Sequence, residues 1–307
     1  MQVLSKLRLI VLLFLCTTIT VLAQPNKQDD IGVQTENQTN NKADKKPAIP
    51  LPISLEKQHK EDLTHYIPAN SVTPILAGPN DYLTLINENT SVNNKGVAVL
   101  LPDWQQGAVN PKAINFLRTA LPKQGWTTIS IQPTSIPNDF PSKALKVDEQ
   151  KQENKLIIDQ YKTELAALIS AVMTKSKEYP GIVIVIAQGN HGAMLVDIFD
   201  QQAATKNSTP NALILLSSFL LTSNELINEA NTTFAKTLAN SEYPVLDLYL
   251  QYDNPIVLAK AAQRLLIAKQ ELKAYYRQRQ LTNNASGYYP EQELLVQING
   301  WLKHIGW

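Results

Sequence analysis

The side chains that could do chemistry stand in four short stretches of the chain. They comprise residues 103–105, residues 189–191, Asp253 and the loop at residues 282–289. A hydroxyl, an imidazole and a carboxylate that meet in one cleft can carry out nucleophilic acyl transfer. To form such a cleft, three different stretches would each have to supply one of these groups.

Residues 181–195 have the pattern of a buried strand, a sharp turn and a helix. An apolar, β-branched run ends at small residues and passes directly into an amphipathic segment. Serine hydrolases place their nucleophile in such a turn, in the pattern G-x-S-x-G. Here Ala187 and His191 occupy the flanking positions, and Gly189 stands where the serine would be. The pattern therefore predicts the turn without its nucleophile.

Asn190 and His191 are the polar side chains nearest to this turn. The imidazole of His191 could act as a base or a ligand in a cleft above the sheet. Alternatively, His191 starts a helix and packs against a neighbouring loop. The free N–H groups at the start of that helix could also hold an anion, and Asn190 is a candidate ligand-binding residue.

Asp253 follows an apolar run, in the chain order expected for the acid of a catalytic triad. Because Pro255 stands two residues later, Asp253 also fits an ordinary helix N-cap. The loop at residues 282–289, where the triad histidine would be expected, contains no histidine. Ser217 and Ser218 end another apolar run without the pattern of a nucleophile turn, so we interpret them as structural. Two of the three triad members are therefore missing.

Asp103, Trp104 and Gln105 follow the apolar run at residues 96–101. A carboxylate and an aromatic ring at the end of a strand suit a polar ligand such as a sugar. Alternatively, Trp104 covers the edge of the core and Asp103 caps the turn. Ligands of open parallel sheets bind at the carboxyl ends of the strands, so all three residues are candidates for ligand binding.

Apolar runs and helical repeats alternate from residue 96 onwards. This alternation predicts an α/β fold with a mostly parallel sheet and helices on both faces. Two short runs within residues 72–86 predict an antiparallel ribbon at the N-terminal edge, and we expect one domain at residues 53–307. The predicted strands are residues 96–101, 125–131, 181–187, 212–216, 245–250 and 274–281, and helices are predicted at residues 55–66, 111–124, 143–178, 224–238, 255–269 and 290–304.

Residues 1–23 have the organisation of a secretory signal peptide. A positively charged start and an apolar stretch lead to a small-residue cleavage site at Ala23. The alternative is an uncleaved membrane anchor, although the apolar stretch is short for a membrane span. Residues 24–52 are polar, which predicts a disordered linker that is either a spacer or a remnant. We expect a periplasmic or secreted protein with no stable membrane insertion after cleavage.

The charge and the cysteine content exclude several kinds of site. The formal charge is +1, and loss of Lys6 and Arg8 with the signal peptide leaves 26 basic and 27 acidic side chains. This balance argues against nucleic acid as a partner. The single cysteine, Cys16, lies in the signal segment after Leu15, which speaks against lipidation and leaves no thiol for a disulfide or a metal. Since the sequence also lacks histidine pairs at ligand spacing and glycine-rich phosphate loops, we expect neither metal nor cofactor.

Several segments of the chain resemble the α/β-hydrolase superfamily, namely residues 96–104, 117–132, 186–192 and 244–249. More closely, the chain resembles an uncharacterised family of exported bacterial proteins, classed within that superfamily as a domain of unknown function. The resemblance implies a hydrolase-like fold. It also implies that Gly189, Asp253 and the loop at residues 283–287 stand at the nucleophile, acid and histidine positions.

The sequence departs from the hydrolase pattern at the nucleophile and histidine positions. We therefore expect an exported α/β-hydrolase-fold protein without triad chemistry, a pseudoenzyme that serves as a binding or accessory protein. Its partner would be a small molecule or an envelope protein. The alternative is a divergent esterase-type hydrolase that uses Asp253 with a non-standard nucleophile or base.

Overall fold

The computed structural model describes residues 52–203, 209–220 and 229–307, which belong to one compact unit. Its centre is an eight-stranded sheet. In chain order, the strands are β1 (Val72–Ala77), β2 (Asn80–Asn87), β3 (Gly96–Leu101), β4 (Trp126–Ile131), β5 (Ile182–Gln188), β6 (Ala212–Leu216), β7 (Val245–Leu250) and β8 (Tyr276–Leu281).

The sheet has the spatial order β1-β2-β4-β3-β5-β6-β7-β8. The pairs β1–β2 and β2–β4 are antiparallel, and all other neighbouring strands are parallel. Crossovers between parallel strands require a helix to return the chain, which is why strands and helices alternate from β3 onwards. The predicted α/β fold with an antiparallel ribbon at its N-terminal edge is confirmed.

Seven α-helices cover the sheet within the described residues. They are α1 (Leu55–Tyr66), α2 (Ile114–Ala120), α3 (Val147–Ser176), α4 (Gly189–Ala203), α5 (Ala230–Asn240), α6 (Pro255–Gln270) and α7 (Glu291–His304), and two short 3-10 turns lie at Ala69–Ser71 and Leu121–Gln124. In the described ranges, none of these helices combines the length and the apolar character needed to cross a membrane.

Side chains that alternate along the central strands divide the core into two layers. In β3, Val97, Val99 and Leu101 share a layer with α3, α4 and α5. Ala98 and Leu100 share the opposite layer with α2 and α7. All six residues of β3 are buried, as expected for a parallel strand with helices on both faces.

Three predicted helices differ from the observed ones. The helix predicted at residues 143–178 is observed as the shorter α3, Val147–Ser176. The helix predicted at residues 111–124 is observed as the shorter α2. This helix ends before Pro122, because proline has no N–H with which to continue the α-helical hydrogen bonds. The helix predicted at residues 224–238 overlaps α5, but residues 224–228 lie outside the described ranges. The predicted signal peptide and residues 24–51 of the predicted linker lie outside them as well.

Three adjacent parallel strands, β5, β6 and β7, position the candidate site because their carboxyl ends open on the same edge of the sheet. Gln188 of β5 pairs with Leu216 of β6. The next residues, Gly189 and Ser217, therefore leave the sheet side by side. On the other side of β5, β3 ends two residues before Asp103.

Candidate functional site

A cleft of about 550 Å³ opens at the carboxyl ends of these strands. Its polar lining includes Asp103, Gln188, Asn190, Ser217 and Asp253. The volume lies within the range of about 300–1,000 Å³ that is usual for small-molecule sites. A larger cavity of about 670 Å³ lies among α3, α4 and α5. We place the candidate site in the strand-end cleft, because ligands of open parallel sheets bind there.

The space above Gly189 is filled by the side chain of Asp103. The backbone of Gly189 is left-handed, with φ +58°, a conformation that favours glycine. A Cβ atom at this position would lie 2.4 Å from Cγ of Asp103 and 2.6 and 2.8 Å from its two carboxylate oxygens. The left-handed backbone therefore favours glycine, and the neighbouring carboxylate leaves no room for a Cβ atom.

The Asp103 carboxylate sits at the N-terminus of α4. Its Oδ1 accepts a hydrogen bond of 2.9 Å from the backbone N–H of Asn190, and the Asn190 amide lies 3.4 Å from both oxygens. Burial raises the pKa of Asp103 to about 6, against the opposing effect of the N–H groups of Trp104, Asn190 and His191. The carboxylate of this chain thus occupies the anion position that the sequence suggested for a ligand.

Trp104 and Gln105 border the same cleft in different ways. The indole of Trp104 is only 4% exposed and packs against Phe140 and Tyr161, with ring centroids 5.9 and 5.8 Å apart. Its main contacts are therefore with the core, as in the alternative interpretation. Gln105 is exposed at the cleft and remains available to a ligand.

His191 lies beneath the cleft and is fully buried. Its Nδ1 lies 2.6 Å from the carbonyl oxygen of Pro102 and its Nε2 lies 2.7 Å from the hydroxyl of Tyr161, on whose ring it stacks. Because a carbonyl can only accept, Nδ1 carries the proton, and the single hydrogen of the Tyr161 hydroxyl points either to Nε2 or to the carbonyl oxygen of Thr134, 2.9 Å away. Burial lowers the pKa of His191 to about 4, so the ring is neutral and both of its nitrogens are engaged away from the cleft.

Asp253 faces the cleft and does not cap α6. Its Oδ2 accepts the N–H of Leu250 at 2.8 Å, and its Oδ1 accepts the N–H of Asn254 at 2.7 Å. The N-cap of α6 is Asn254, whose side chain accepts the N–H of Ile256 at 2.9 Å. The interpretation of Asp253 as the N-cap is therefore wrong, because Pro255 is the first helical residue and the preceding residue takes that role.

Ser217 is the cleft residue whose role the sequence did not reveal. It has a left-handed backbone, with φ +48°. Its Oγ lies 2.5 Å from Oδ2 of Asp253 and 2.5 Å from the hydroxyl of Tyr289. No local motif marks this serine. Only the strand order, with β6 between β5 and β7, brings it between Gly189 and Asp253.

The loop after β8 closes one side of the cleft through Ser286 and Gly287. Asn283 holds this loop in place, because its Oδ1 accepts the N–H of Tyr252 at 2.8 Å and its Nδ2 donates to the carbonyl of Ala285 at 2.6 Å. No histidine lines the cleft among the described residues. In the same part of the chain, no group of three or more histidine, cysteine or acidic side chains could hold a metal ion.

Sequence comparison assigns a family to this chain. The family described as "Protein of unknown function (DUF3530)" matches residues 6–304. A search of curated proteins found no significant match.

Several solved structures are similar to the described fold. Dienelactone hydrolase from Anabaena variabilis ATCC 29413 has a TM-score of 0.53 at 12% identity, over 76% of this chain and 96% of that one. Est1E from Butyrivibrio proteoclasticus has a TM-score of 0.54 at 11% identity, over 77% and 100%. Esterase 2 of Thermogutta terrifontis, phosphorylated by paraoxon, has a TM-score of 0.52 at 13% identity, over 78% and 96%.

At such low identity, these structures establish the fold alone. The resemblance to a family of unknown function with an α/β-hydrolase-like fold is confirmed. The chain belongs to the DUF3530 family and has an α/β-hydrolase fold.

Proposed function

We propose that this protein is an exported binding or accessory protein that holds a small polar ligand in the strand-end cleft, without serine-hydrolase triad chemistry. One observation carries the proposal. The Asp103 carboxylate fills the space above Gly189 and accepts the N–H of Asn190. It therefore occupies the places that a nucleophile and a reaction oxyanion would need.

The Asp103 carboxylate would also repel the oxyanion of an acyl-transfer reaction. In hydrolases with this fold, the N–H of the residue after the nucleophile stabilises the oxyanion of the tetrahedral intermediate. Here that N–H belongs to Asn190 and already binds a carboxylate at 2.9 Å. An oxyanion placed beside Asp103 would meet a like charge, and loss of even one such donor typically lowers kcat by about 10²–10³-fold.

The lack of a usable histidine supports the same proposal. Triad chemistry needs an imidazole that takes the nucleophile's proton and returns it to the leaving group. Within the described ranges, no histidine lines the cleft. His191 is the nearest in the chain, but its two ring nitrogens contact Pro102 and Tyr161.

The composition of the cleft favours a small polar ligand such as a sugar. Gln105 and Lys112 provide hydrogen-bond donors, and Ser217 provides an acceptor. Phe140 and Phe219 add apolar surface on the walls. A mainly pre-formed cleft with a few polar groups and apolar walls is typical of small-molecule sites.

Steady-state ester hydrolysis tests the loss of triad chemistry. We expect the full-length chain to hydrolyse p-nitrophenyl acetate and butyrate no faster than the uncatalysed reaction, with no change in Asp253→Ala. Asp81→Ala, which removes an exposed acid on β2, is the matched control. Steady-state turnover that Asp253→Ala abolishes and Asp81→Ala retains would overturn the proposal. Calorimetric titration with mono- and disaccharides tests the binding function, and we expect Asp103→Asn to change the affinity.

Export, and the envelope partner that could go with it, are proposed from the signal-like residues 1–23. The near-neutral charge of the mature chain supports neither nucleic acid nor an anionic membrane as the partner. Expression with a C-terminal tag, followed by fractionation and N-terminal sequencing, tests this proposal. We expect a periplasmic protein that begins at Gln24, whereas a cytoplasmic protein that retains Met1 would contradict export.

A second candidate function is a divergent esterase-type hydrolase that uses Asp253 with a non-standard nucleophile. The observation that favours it is the hydrogen bond of 2.5 Å from Oγ of Ser217 to the Asp253 carboxylate. This candidate predicts steady-state ester turnover that is lost in Asp253→Ala. The same assay therefore separates it from the binding function.

A further inference from the structure

Ser217 has a left-handed backbone, as Gly189 has at the end of the neighbouring strand. Its φ of +48° compares with +58° at Gly189, and the two residues follow the paired residues Gln188 and Leu216. A left-handed conformation at a residue other than glycine stores roughly 1–3 kcal/mol and concentrates at functional sites. The ends of β5 and β6 are therefore each followed by a left-handed residue, and the one after β6 carries a hydroxyl.

The hydroxyl of Ser217 is oriented by two partners. It donates its single hydrogen to Oδ2 of Asp253 at 2.5 Å, so the hydrogen of the second contact comes from Tyr289, also at 2.5 Å. Burial raises the pKa of the Tyr289 phenol, which therefore keeps its proton and remains a donor. One lone pair of the serine oxygen is left, and Ser217 borders the cleft.

Asp253 is placed to act as the base for this serine. The N–H groups of Leu250 and Asn254 hold its two carboxylate oxygens at 2.8 and 2.7 Å. A base must lie within hydrogen-bond reach of the proton that it removes. The carboxylate meets this requirement without moving and without a histidine between it and the hydroxyl.

We propose that Ser217 is a nucleophile that accepts the acyl group of an ester or thioester bound in the cleft. Its Oγ forms a bond to the carbonyl carbon, and the bond from that carbon to the leaving group breaks with its electron pair on the leaving group. Asp253 takes the serine proton and passes it to the leaving alkoxide or thiolate. Protons and electrons are conserved, and the products are an acyl-serine and an alcohol or thiol.

The acyl-serine accumulates instead of turning over. Acylation and hydrolysis both lack the N–H of Asn190, which Asp103 already holds, so the leaving group decides which step is faster. An aryl ester or a thioester releases a weakly basic leaving group, whereas hydrolysis of the acyl-serine must release the more basic serine alkoxide. We therefore expect one equivalent of acylation per chain, an activity that goes beyond reversible ligand binding.

Covalent labelling of the full-length chain tests this inference. The probe is an alkyl fluorophosphonate, in which the serine oxygen displaces fluoride from phosphorus, and the readouts are intact mass and peptide mass spectrometry. We expect one adduct, located on Ser217. With p-nitrophenyl acetate, we expect a burst of about one equivalent of nitrophenol without steady-state release.

Three variants make the labelling specific. Ser217→Gly suits the left-handed backbone, so it should fold and lose labelling by at least about 10-fold. Asp253→Asn should slow labelling by about 10²-fold or more. Ser218→Ala is the matched control, because Ser218 is adjacent and fully buried, and it should label like the parent chain.

The outcomes separate this inference from the proposed function. No adduct on folded protein, or an adduct that survives Ser217→Gly, overturns the inference and leaves the binding function intact. Steady-state ester turnover that Ser217→Gly abolishes overturns both the single-turnover limit and the non-catalytic proposal. One equivalent of label on Ser217 without turnover supports both.

Discussion

The corners at Gly189 and Ser217 stand side by side at the ends of β5 and β6, with left-handed φ angles of +58° and +48°. Both face the same cleft, and an aspartate from another loop covers each of them. At Gly189 the Asp103 carboxylate fills the space of a side chain, whereas at Ser217 the Asp253 carboxylate accepts the hydrogen of the serine hydroxyl. A strand end therefore supplies only a position. The side chain that covers this position decides its chemistry.

The two aspartates also differ in what they bind. Asp103 accepts hydrogen bonds from backbone N–H groups and the amide of Asn190, and burial raises its pKa to about 6. Asp253 accepts two N–H groups and the hydroxyl of Ser217. The first carboxylate thus binds only groups that fix its place, whereas the second also binds a group that could react.

The largest expected effect is at Gly189. Gly189→Ala places a Cβ atom 2.4 Å from Cγ of Asp103 in a left-handed conformation. Relief of this clash would break the bonds of Asp103 to α4. We expect a loss of about 3–4 kcal/mol in the free energy of unfolding, measured by urea denaturation.

The control for that prediction is Gly78→Ala, since Gly78 has φ +61° and no atom within 4 Å of a Cβ. It should lose only about 1 kcal/mol, which is the backbone contribution alone. In the double variant Asp103→Gly with Gly189→Ala, most of the excess loss should disappear. Equal losses for the two single glycine variants would contradict the role assigned to Asp103.

Asp103→Asn should change stability with pH. Burial raises the pKa of Asp103 from 3.8 to about 6, so the folded state binds this proton more tightly than the unfolded state. The free energy of unfolding of the parent chain therefore falls as pH rises from about 4 to 6 and Asp103 loses its proton. We expect Asp103→Asn to be more stable than the parent by roughly 2 kcal/mol at pH 7.5, with the difference vanishing near pH 4. Urea unfolding across this range measures the difference.

His191→Gln provides a control of opposite sign. Burial lowers the pKa of His191 from 6.5 to about 4, so the unfolded state binds its proton first and the parent chain loses stability as pH falls through this range. Relative to the parent, His191→Gln should therefore gain stability on acidification. If the difference in unfolding free energy between Asp103→Asn and the parent chain did not change with pH, the buried charge assigned to Asp103 would be contradicted.

At the second corner, two substitutions of one residue separate backbone strain from hydrogen bonding. Ser217→Ala should lose about 1.5–2 kcal/mol, because Asp253 and Tyr289 lose their shared partner. Ser217→Gly loses the same bonds but relieves the left-handed strain, so it should be more stable than Ser217→Ala by about 1 kcal/mol. Denaturant midpoints compare the two variants, and the reverse order would mean that the turn is unstrained.

The smallest expected effect is at Asn254, where the loss of the helix cap should leave the reactivity of Ser217 unchanged. Asn254→Ala removes the hydrogen bond of 2.9 Å that caps α6 and should lower stability by about 1 kcal/mol. Labelling of Ser217 by the fluorophosphonate should be unchanged, because the Asn254 side chain makes no part of the serine contact. A large loss of labelling would show that Asp253 depends on the cap for its position.

Much of the fold was predictable from local patterns. The runs that became β3, β5, β6 and β7 are mostly apolar, β5 is rich in β-branched residues, and the turn at Gly189 follows from the small residues around it. The error at Asp253 has a local cause, because the capping pattern fits both Asp253 and Asn254 and their side chains choose different partners. Ser217 could not be found locally, since nothing in its neighbours reports a left-handed φ.

The sequence by itself determined the order of strands and helices, the corner without a serine and the absence of a histidine from the loop after β8. These properties depend on residue type and local spacing. Only the tertiary structure decided that Asp103 fills the empty corner and that Ser217 meets Asp253. These residues lie far apart in the chain, and their contacts exist because the sheet places β3, β5, β6 and β7 side by side with their carboxyl ends on one edge.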